Sequence, residues 1–164
     1  PFNLFKFRTM KNISGSLITL DNDERITVWG RILRKTKLDE LPQLLNVLVG
    51  DMHFVGPRPE IPQYVDKENF AFLKMMKPGM TDFASILFRH ESEILQRLQE
   101  GISYEDILRI KVELANEYVK RRGPIEAIKI ICLTVCALFF HKATCGYLLN
   151  RQLKKPELVK YFIQ

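Results

Sequence analysis

The sequence has no hydrophobic run long enough to cross a bilayer. A spanning helix needs ~20 apolar residues, whereas the longest stretch, Ile130 to Phe140, is 11 residues and is broken by Thr134. That length suits a core or interfacial helix. Cysteine is scarce: Cys132, Cys136 and Cys145 are an odd number, and nothing like a secretory signal precedes them. A fully paired disulfide framework is excluded, and a reduced, cytoplasm-facing setting is expected. Cys132 and Cys136 stand one helical turn apart, with only His141 and Cys145 near them in an apolar setting. They read as small buried hydrophobes rather than metal ligands. His53 and His141 have no ligand-like partners at useful spacing and read as packing or surface residues. No Gly-rich phosphate loop, Ser-His-Asp set, zinc-type Cys/His spacing or internal repeat occurs.

What is present is an ordinary globular balance, 46% hydrophobic and 27% charged, which excludes disorder. At 164 residues, one domain with a sizeable core is the default. The net charge of +6 is uneven. Residues 1–38 hold eight Lys/Arg against three Asp/Glu, and 140–164 hold five against one. Basic ends suit a phosphate-rich partner: nucleotide, nucleic acid or anionic membrane.

Alternation over Phe2–Arg8 predicts a strand, and the polar residues 11–24 a loop. Residues 26–36 read as a helix with Ile26, Trp29, Ile32 and Leu33 inward. A second helix is expected over 40–49, with Pro42 in its first turn and Gly50 ending it. Residues 51–59 read as a loop or short strand, 60–76 as one or two short helices, and Lys77-Pro78-Gly79-Met80 as a turn. Helices follow over 91–100, 104–122 and 125–149, with breaks at Gly101 and Gly123-Pro124, and a short amphipathic helix over 157–163. The predicted class is α+β, mainly helical with a little strand, in a single compact, membrane-associated domain over 1–164.

The chemistry concentrates in residues 37–59, KLDELPQLLNVLVGDMHFVGPRP. Asp39-Glu40 has two readings. Carboxylates at a helix start act as caps. Adjacent carboxylates can also divide two tasks, one attacking phosphorus and the other holding Mg²⁺. Arg58 lies between Pro57 and Pro59, either an exposed residue of a structural turn or a guanidinium fork on a stiff loop that matches phosphate oxygens. Lys6, Arg8, Arg31 and Arg34 are further candidate cations, and Arg89 and His90 open the next helical stretch.

These residues carry a resemblance. Phe5-Lys6-Phe7-Arg8-Thr9-Met10, Leu38-Asp39-Glu40-Leu41-Pro42-Gln43, Gly50-Asp51-Met52, Val55-Gly56-Pro57-Arg58-Pro59 and Lys77-Pro78-Gly79-Met80-Thr81 stand in order. From Phe2 to about Arg89 the chain resembles the bacterial sugar transferases, monotopic polyprenyl-phosphate phosphoglycosyl transferases. The resemblance implies transfer of a phospho-sugar from a UDP-sugar to polyprenyl (undecaprenyl) phosphate, with release of UMP. It thereby implies initiation of a cell-surface glycan: exopolysaccharide, capsule, O-antigen or glycoprotein. It implies Asp39 as the nucleophile of a covalent aspartyl phospho-sugar intermediate and Glu40 as the Mg²⁺ ligand. Lys6, Arg8, Arg34, Arg58 and Arg89 are the implied substrate contacts.

The implied location is the cytoplasmic face of the bacterial inner membrane. The implied partners are UDP-sugar and polyprenyl phosphate, with no nucleic acid and with association of copies left open. The chain departs from the family pattern in lacking a re-entrant hydrophobic helix before Phe2. It also departs at Ala127, near a place where the family tends to have Asp. Without that anchor the chain is expected to attach to membranes only loosely. Two other readings stay open: a non-catalytic module for anionic lipid or nucleic acid, and a degenerate family member that binds UDP-sugar without turnover.

Overall fold

The computed structural model describes residues 2–13, 19, 23–60, 76–91, 94, 104–155 and 162. The chain divides into two compact units, Pro1–Met52 and His53–Gln164. The helices expected over 60–76, 91–100 and 157–163 lie almost wholly outside the described residues. The predicted class holds: the described elements are mainly helical with one small sheet. Among the described residues no helix is long and apolar enough to cross a membrane.

The first unit is built from α1 (Val28–Thr36), a 3-10 turn (Leu38–Glu40) and α2 (Gln43–Leu48). Thr27 caps α1, its hydroxyl accepting from Gly30 N at 2.9 Å. Lys37 ends α1 in the left-handed region, φ 60°, and its N–H closes the helix on Arg34 O and Leu33 O. Gly50, φ 85°, ends the α2 segment, where it was expected to.

Two expectations fail in this unit. Residues 2–8 form no ladder. The backbone N–H groups of Phe5 and Phe7 go instead to Asn46 Oδ1 and Asp39 O, so the segment is pinned to the 3-10 turn and α2. The nearest strand-like pairing among the described residues lies just beyond it, the isolated Met10–Ile26 bridge. The helix over 26–36 forms, but Trp29 and Ile32 point outward, 77% and 51% exposed. The inward position is Gly30. An added Cβ there would stand 2.0 Å from the Thr9 carbonyl oxygen, so the backbones approach too closely for any side chain.

The second unit holds a parallel pair, β1 (His53–Val55) and β2 (Gly79–Thr81), in register His53–Gly79 and Val55–Thr81. Residues 77–80 therefore lead into a strand rather than forming a turn. Glycine is required at 79 because a Cβ would meet Gly56 N at 2.2 Å. Then follow α3 (Phe83–Leu87), α4 (Tyr104–Arg121), α5 (Pro124–Phe139), α6 (His141–Tyr147) and a π-helical turn (Leu148–Gln152).

Ile107, Leu108, Leu114 and Ala115 recur at helical spacing on α4 and are buried. They sit with Phe83, Ile86, Leu87, Ile130, Cys145, Leu148 and Leu149 among the buried residues of this unit. Truncating a fully buried leucine such as Leu148 to Ala would cost about 2–5 kcal/mol. Tyr118 OH donates to Val55 O at 3.1 Å, and Thr81 and Thr134 hydroxyls meet at 2.7 Å. The sheet is thereby tied to α4 and α5.

The helix expected over 125–149 is interrupted. Phe140 leaves helical geometry at φ −131°, ψ 52°, and His141 Nε2 pairs with Ile86 O at 3.0 Å and Cys145 Sγ at 3.3 Å. His141 is thus a packing residue, as expected. Cys145 is buried, and desolvation pushes its thiol up to about 12. Cys132 and Cys136 are exposed, not buried as the sequence suggested, because α5 buries only the stripe of Ile130 and Ala137.

Candidate active site

In the first unit the pinned N-terminal segment delivers Lys6. Asn46 is the anchor: its Oδ1 accepts from Phe5 N at 3.0 Å and its Nδ2 donates to Asn3 O at 2.8 Å. Asp39 O accepts from Phe7 N at 2.9 Å, and Thr9 O accepts from Thr27 N at 3.0 Å. Between these ties Lys6 Nζ reaches Asp39 Oδ2 at 3.0 Å and Glu40 Oε1 at 3.7 Å. The left-handed Lys37 starts the 3-10 turn that presents both carboxylates. A non-glycine residue held there carries backbone strain of the sort found at functional sites.

The capping reading of Asp39 does not survive. Asp39 lies inside the 3-10 turn and makes no cap bond to either neighbouring helix. It is 2% exposed, and its Oδ1 is buried with no hydrogen-bond partner among the described residues. Gln43, four residues on, is equally buried, with Nε2 unpartnered among the described residues. A buried unpaired oxygen is costly, and here it belongs to a carboxylate whose other oxygen is already neutralised. One oxygen is tethered to Lys6, and the other carries no hydrogen bond among the described residues.

The donor set fits Mg²⁺. Asp39 and Glu40 offer hard oxygens, and Glu40 is partly open to solvent. Mg²⁺ commonly binds through one or two carboxylates together with substrate phosphates and waters. No cluster of three or more His, Cys, Asp or Glu suited to a metal occurs among the described residues.

The structure brings Lys6, Asp39 and Glu40 together. Arg8 is exposed beyond them. Arg34, on α1, directs Nη1 toward Met10 Sδ at 3.7 Å and adds to the positive field on Asp23. Arg58 and Arg89 belong to the second unit, Arg58 on the loop after β1 and Arg89 after α3, both half-buried. In that unit the sequence reading missed Asp82, which caps α3 by accepting from Ser85 N and Oγ, each at 2.7 Å. The signal was an Asp three residues before a Ser at a helix start. It also missed Lys111, a lone charge on the inward stripe of α4. Ala127 is partly buried against the core of α5's unit, and beside it Glu126 has a buried Oε1 without a partner among the described residues.

Residues 1–141 match the family model described as bacterial sugar transferase. The uncharacterized sugar transferase EpsL of Bacillus subtilis (strain 168) is 43% identical over 140 residues, covering 82% of this chain and 61% of that protein. The UDP-glucose:undecaprenyl-phosphate glucose-1-phosphate transferase of Escherichia coli (strain K12) is 35% identical over 152 residues, 87% of this chain and 31% of that protein. The UDP-N-acetylgalactosamine-undecaprenyl-phosphate N-acetylgalactosaminephosphotransferase of Aeromonas hydrophila is 33% identical over 127 residues, 73% of this chain and 27% of that protein. The chain thus spans less than two thirds of the length of each of these relatives. The family match over residues 1–141, which takes in Lys6, Asp39, Glu40, Arg58 and Arg89, shows that the chain belongs to the bacterial sugar transferase family.

Proposed function

We propose that this chain carries the catalytic part of an enzyme that moves a sugar 1-phosphate from a UDP-sugar to undecaprenyl phosphate. The observation that carries the reading is the Asp39 carboxylate, buried, tethered through Oδ2 to Lys6 and without a partner at Oδ1 among the described residues. An Asp39 oxygen attacks the phosphorus that bears the sugar. The bond from that phosphorus to the bridging diphosphate oxygen breaks, and UMP leaves with the electron pair. An oxygen of the polyprenyl phosphate then attacks the same phosphorus. The Asp39–phosphorus bond breaks, the carboxylate is restored, and a polyprenyl diphosphate-sugar results.

Lys6 balances the carboxylate charge before attack and lies within reach of phosphoryl oxygens once they are bound there. Arg8, Arg34, Arg58 and Arg89 are the remaining cations assigned to substrate. Mg²⁺ held through Glu40 would offset the negative charge of the diphosphate.

The same reading sets the chain at the cytoplasmic face of the inner membrane. Support comes from α5, where Ile125, Ile128, Val135 and Phe139 are more than half exposed. An amphipathic surface of this kind suits the headgroup boundary.

The test is mass spectrometry of the full chain after incubation with UDP-sugars and Mg²⁺. A phospho-sugar adduct on Asp39, absent from Asp39→Asn and retained in part by Glu40→Gln, is expected. An adduct on any other residue, or turnover by Asp39→Asn, would overturn the covalent mechanism. The sugar that labels the chain names the donor.

A further inference from the structure

In the second unit a single buried cation holds two segments. Lys111 Nζ donates to Glu60 Oε1 at 2.8 Å and to Glu91 Oε1 at 2.9 Å. The Lys111 side chain is 8% exposed and that of Glu60 7%. The ammonium also lies 5.6 Å from the centre of the Phe88 ring. Glu60 follows Arg58 by two residues, and Glu91 follows Arg89 by two. Both arginine-bearing segments are therefore fastened to one point on α4.

We propose that Lys111 is a positioning residue that sets the Arg58 and Arg89 segments against each other for a diphosphate ligand. The inference rests on the assignment of Arg58 and Arg89 to substrate made above. Three features carry it. The first is placement: a tie two residues from a guanidinium restricts where it can swing, and orienting a charge before the ligand arrives removes an ordering cost. The second is symmetry of construction: the same ammonium serves both segments, so neither can shift without disturbing the other.

The third is the chemistry of the cluster. Apolar residues of similar size commonly stabilise a core as well as a buried ion cluster does. Stability alone is thus a weak reason for charge at this point. Burial pushes the Lys111 ammonium toward its neutral form, but Glu91 and then Glu60 outweigh burial, and its pKa ends above the ordinary lysine value. The tie is charged and strong. Asp82, also buried, feels the charges of both Lys111 and Arg58, which puts them in one electrostatic neighbourhood.

The experiment is a binding cycle read by calorimetry with UDP, independent of turnover. Lys111→Met/Glu60→Gln/Glu91→Gln removes the charges together and avoids stranding a buried carboxylate. It should fold, by circular dichroism and cooperative melting, yet bind UDP about tenfold more weakly. Lys111→Arg should keep most of the affinity. In an Arg58→Gln/Arg89→Gln background the same triple change should weaken UDP no further, because Lys111 acts only through those arginines. If the triple variant unfolds, Glu60→Gln and Glu91→Gln singly carry the same cycle.

Parental affinity in a folded variant would overturn the proposal. So would an equal loss in the arginine-free background, or a parent chain that does not bind UDP. The Asp39 adduct reports separately on the proposed function. UDP binding that depends on Lys111 without any adduct supports the inference and sinks the reaction.

Discussion

Lys6 Nζ stands 3.0 Å from Asp39 Oδ2 and 3.7 Å from Glu40 Oε1, so one ammonium serves two adjacent carboxylates. Lys6→Met would strand Asp39 in a buried site. Breaking a fully buried pair costs ~3–5 kcal/mol. Lys6 is 38% exposed, so water screens part of this and a loss of about 1–2 kcal/mol in urea denaturation is expected. Lys6→Met/Asp39→Asn should recover most of it. A single variant as stable as the parent would show that the Asp39 charge needs no partner.

Asp82 gives a pH signature. Burial raises its pKa, while the bonds from Ser85 and the charges of Lys111 and Arg58 pull the other way without cancelling the rise. A carboxyl whose folded pKa is above its unfolded value binds more protons when folded. Its contribution to stability therefore falls as pH climbs past the unfolded value. Asp82→Asn keeps the cap and removes the charge. It should be at least as stable as the parent at pH 7, and the difference should shrink toward pH ~4. Asp82→Ala should lose about 1 kcal/mol with the cap. Chemical denaturation at several pH values decides, and a growing Asn advantage on acidification would contradict the sign.

Gly30 admits no side chain, since a Cβ would meet Thr9 O at 2.0 Å and Thr27 Oγ1 at 2.7 Å. Gly30→Ala should destabilise by roughly 2 kcal/mol or more, despite the better helix propensity of alanine. It should also displace the segment that carries Lys6. Unchanged melting with unchanged adduct formation would mean that α1 and Thr9 separate freely.

The outward face of α5 should matter for membranes and little for folding. Ile128→Ser/Val135→Ser/Phe139→Ser changes side chains that are 63%, 51% and 77% exposed. Each should alter stability by no more than about 0.5 kcal/mol. Co-sedimentation with anionic vesicles should drop. A steep fall in melting temperature, or undiminished vesicle binding, would return this face to the core or to solvent.

The helical class, the α4 segment and the break at Gly123-Pro124 were legible because periodicity and breakers are local signals. The Asp39-Glu40 pair stood out in the sequence as a candidate, but the burial of Asp39 was not legible there. Capping and catalysis use the same residue types, so the residues alone leave both readings open, and the contact of Asp39 with Lys6 joins positions 33 apart in sequence. The Phe2–Arg8 strand failed because alternation says nothing about where backbone donors go, and Asn46 claims them. Trp29 and Ile32 misled because the inward side of α1 is marked by a glycine, a residue with no hydrophobic signal. Lys111 was passed over because a cation on an apolar stripe looks like noise until both of its distant glutamates are in place.

On α5 the two fully buried residues, Ile130 and Ala137, stand seven apart, two turns along a single stripe. With Ala127, Leu133 and Thr134 partly buried beside them, the fold is specified by one side of that helix, and its exposed side is free of architectural duty. Sequence drift there can follow whatever medium the helix meets, with no toll on the core beneath. Homologous chains could diverge in lipid preference or in solubility while sharing one interior. That separation also makes α5 the natural place to engineer a better-behaved chain without touching Lys6, Asp39 or Lys111.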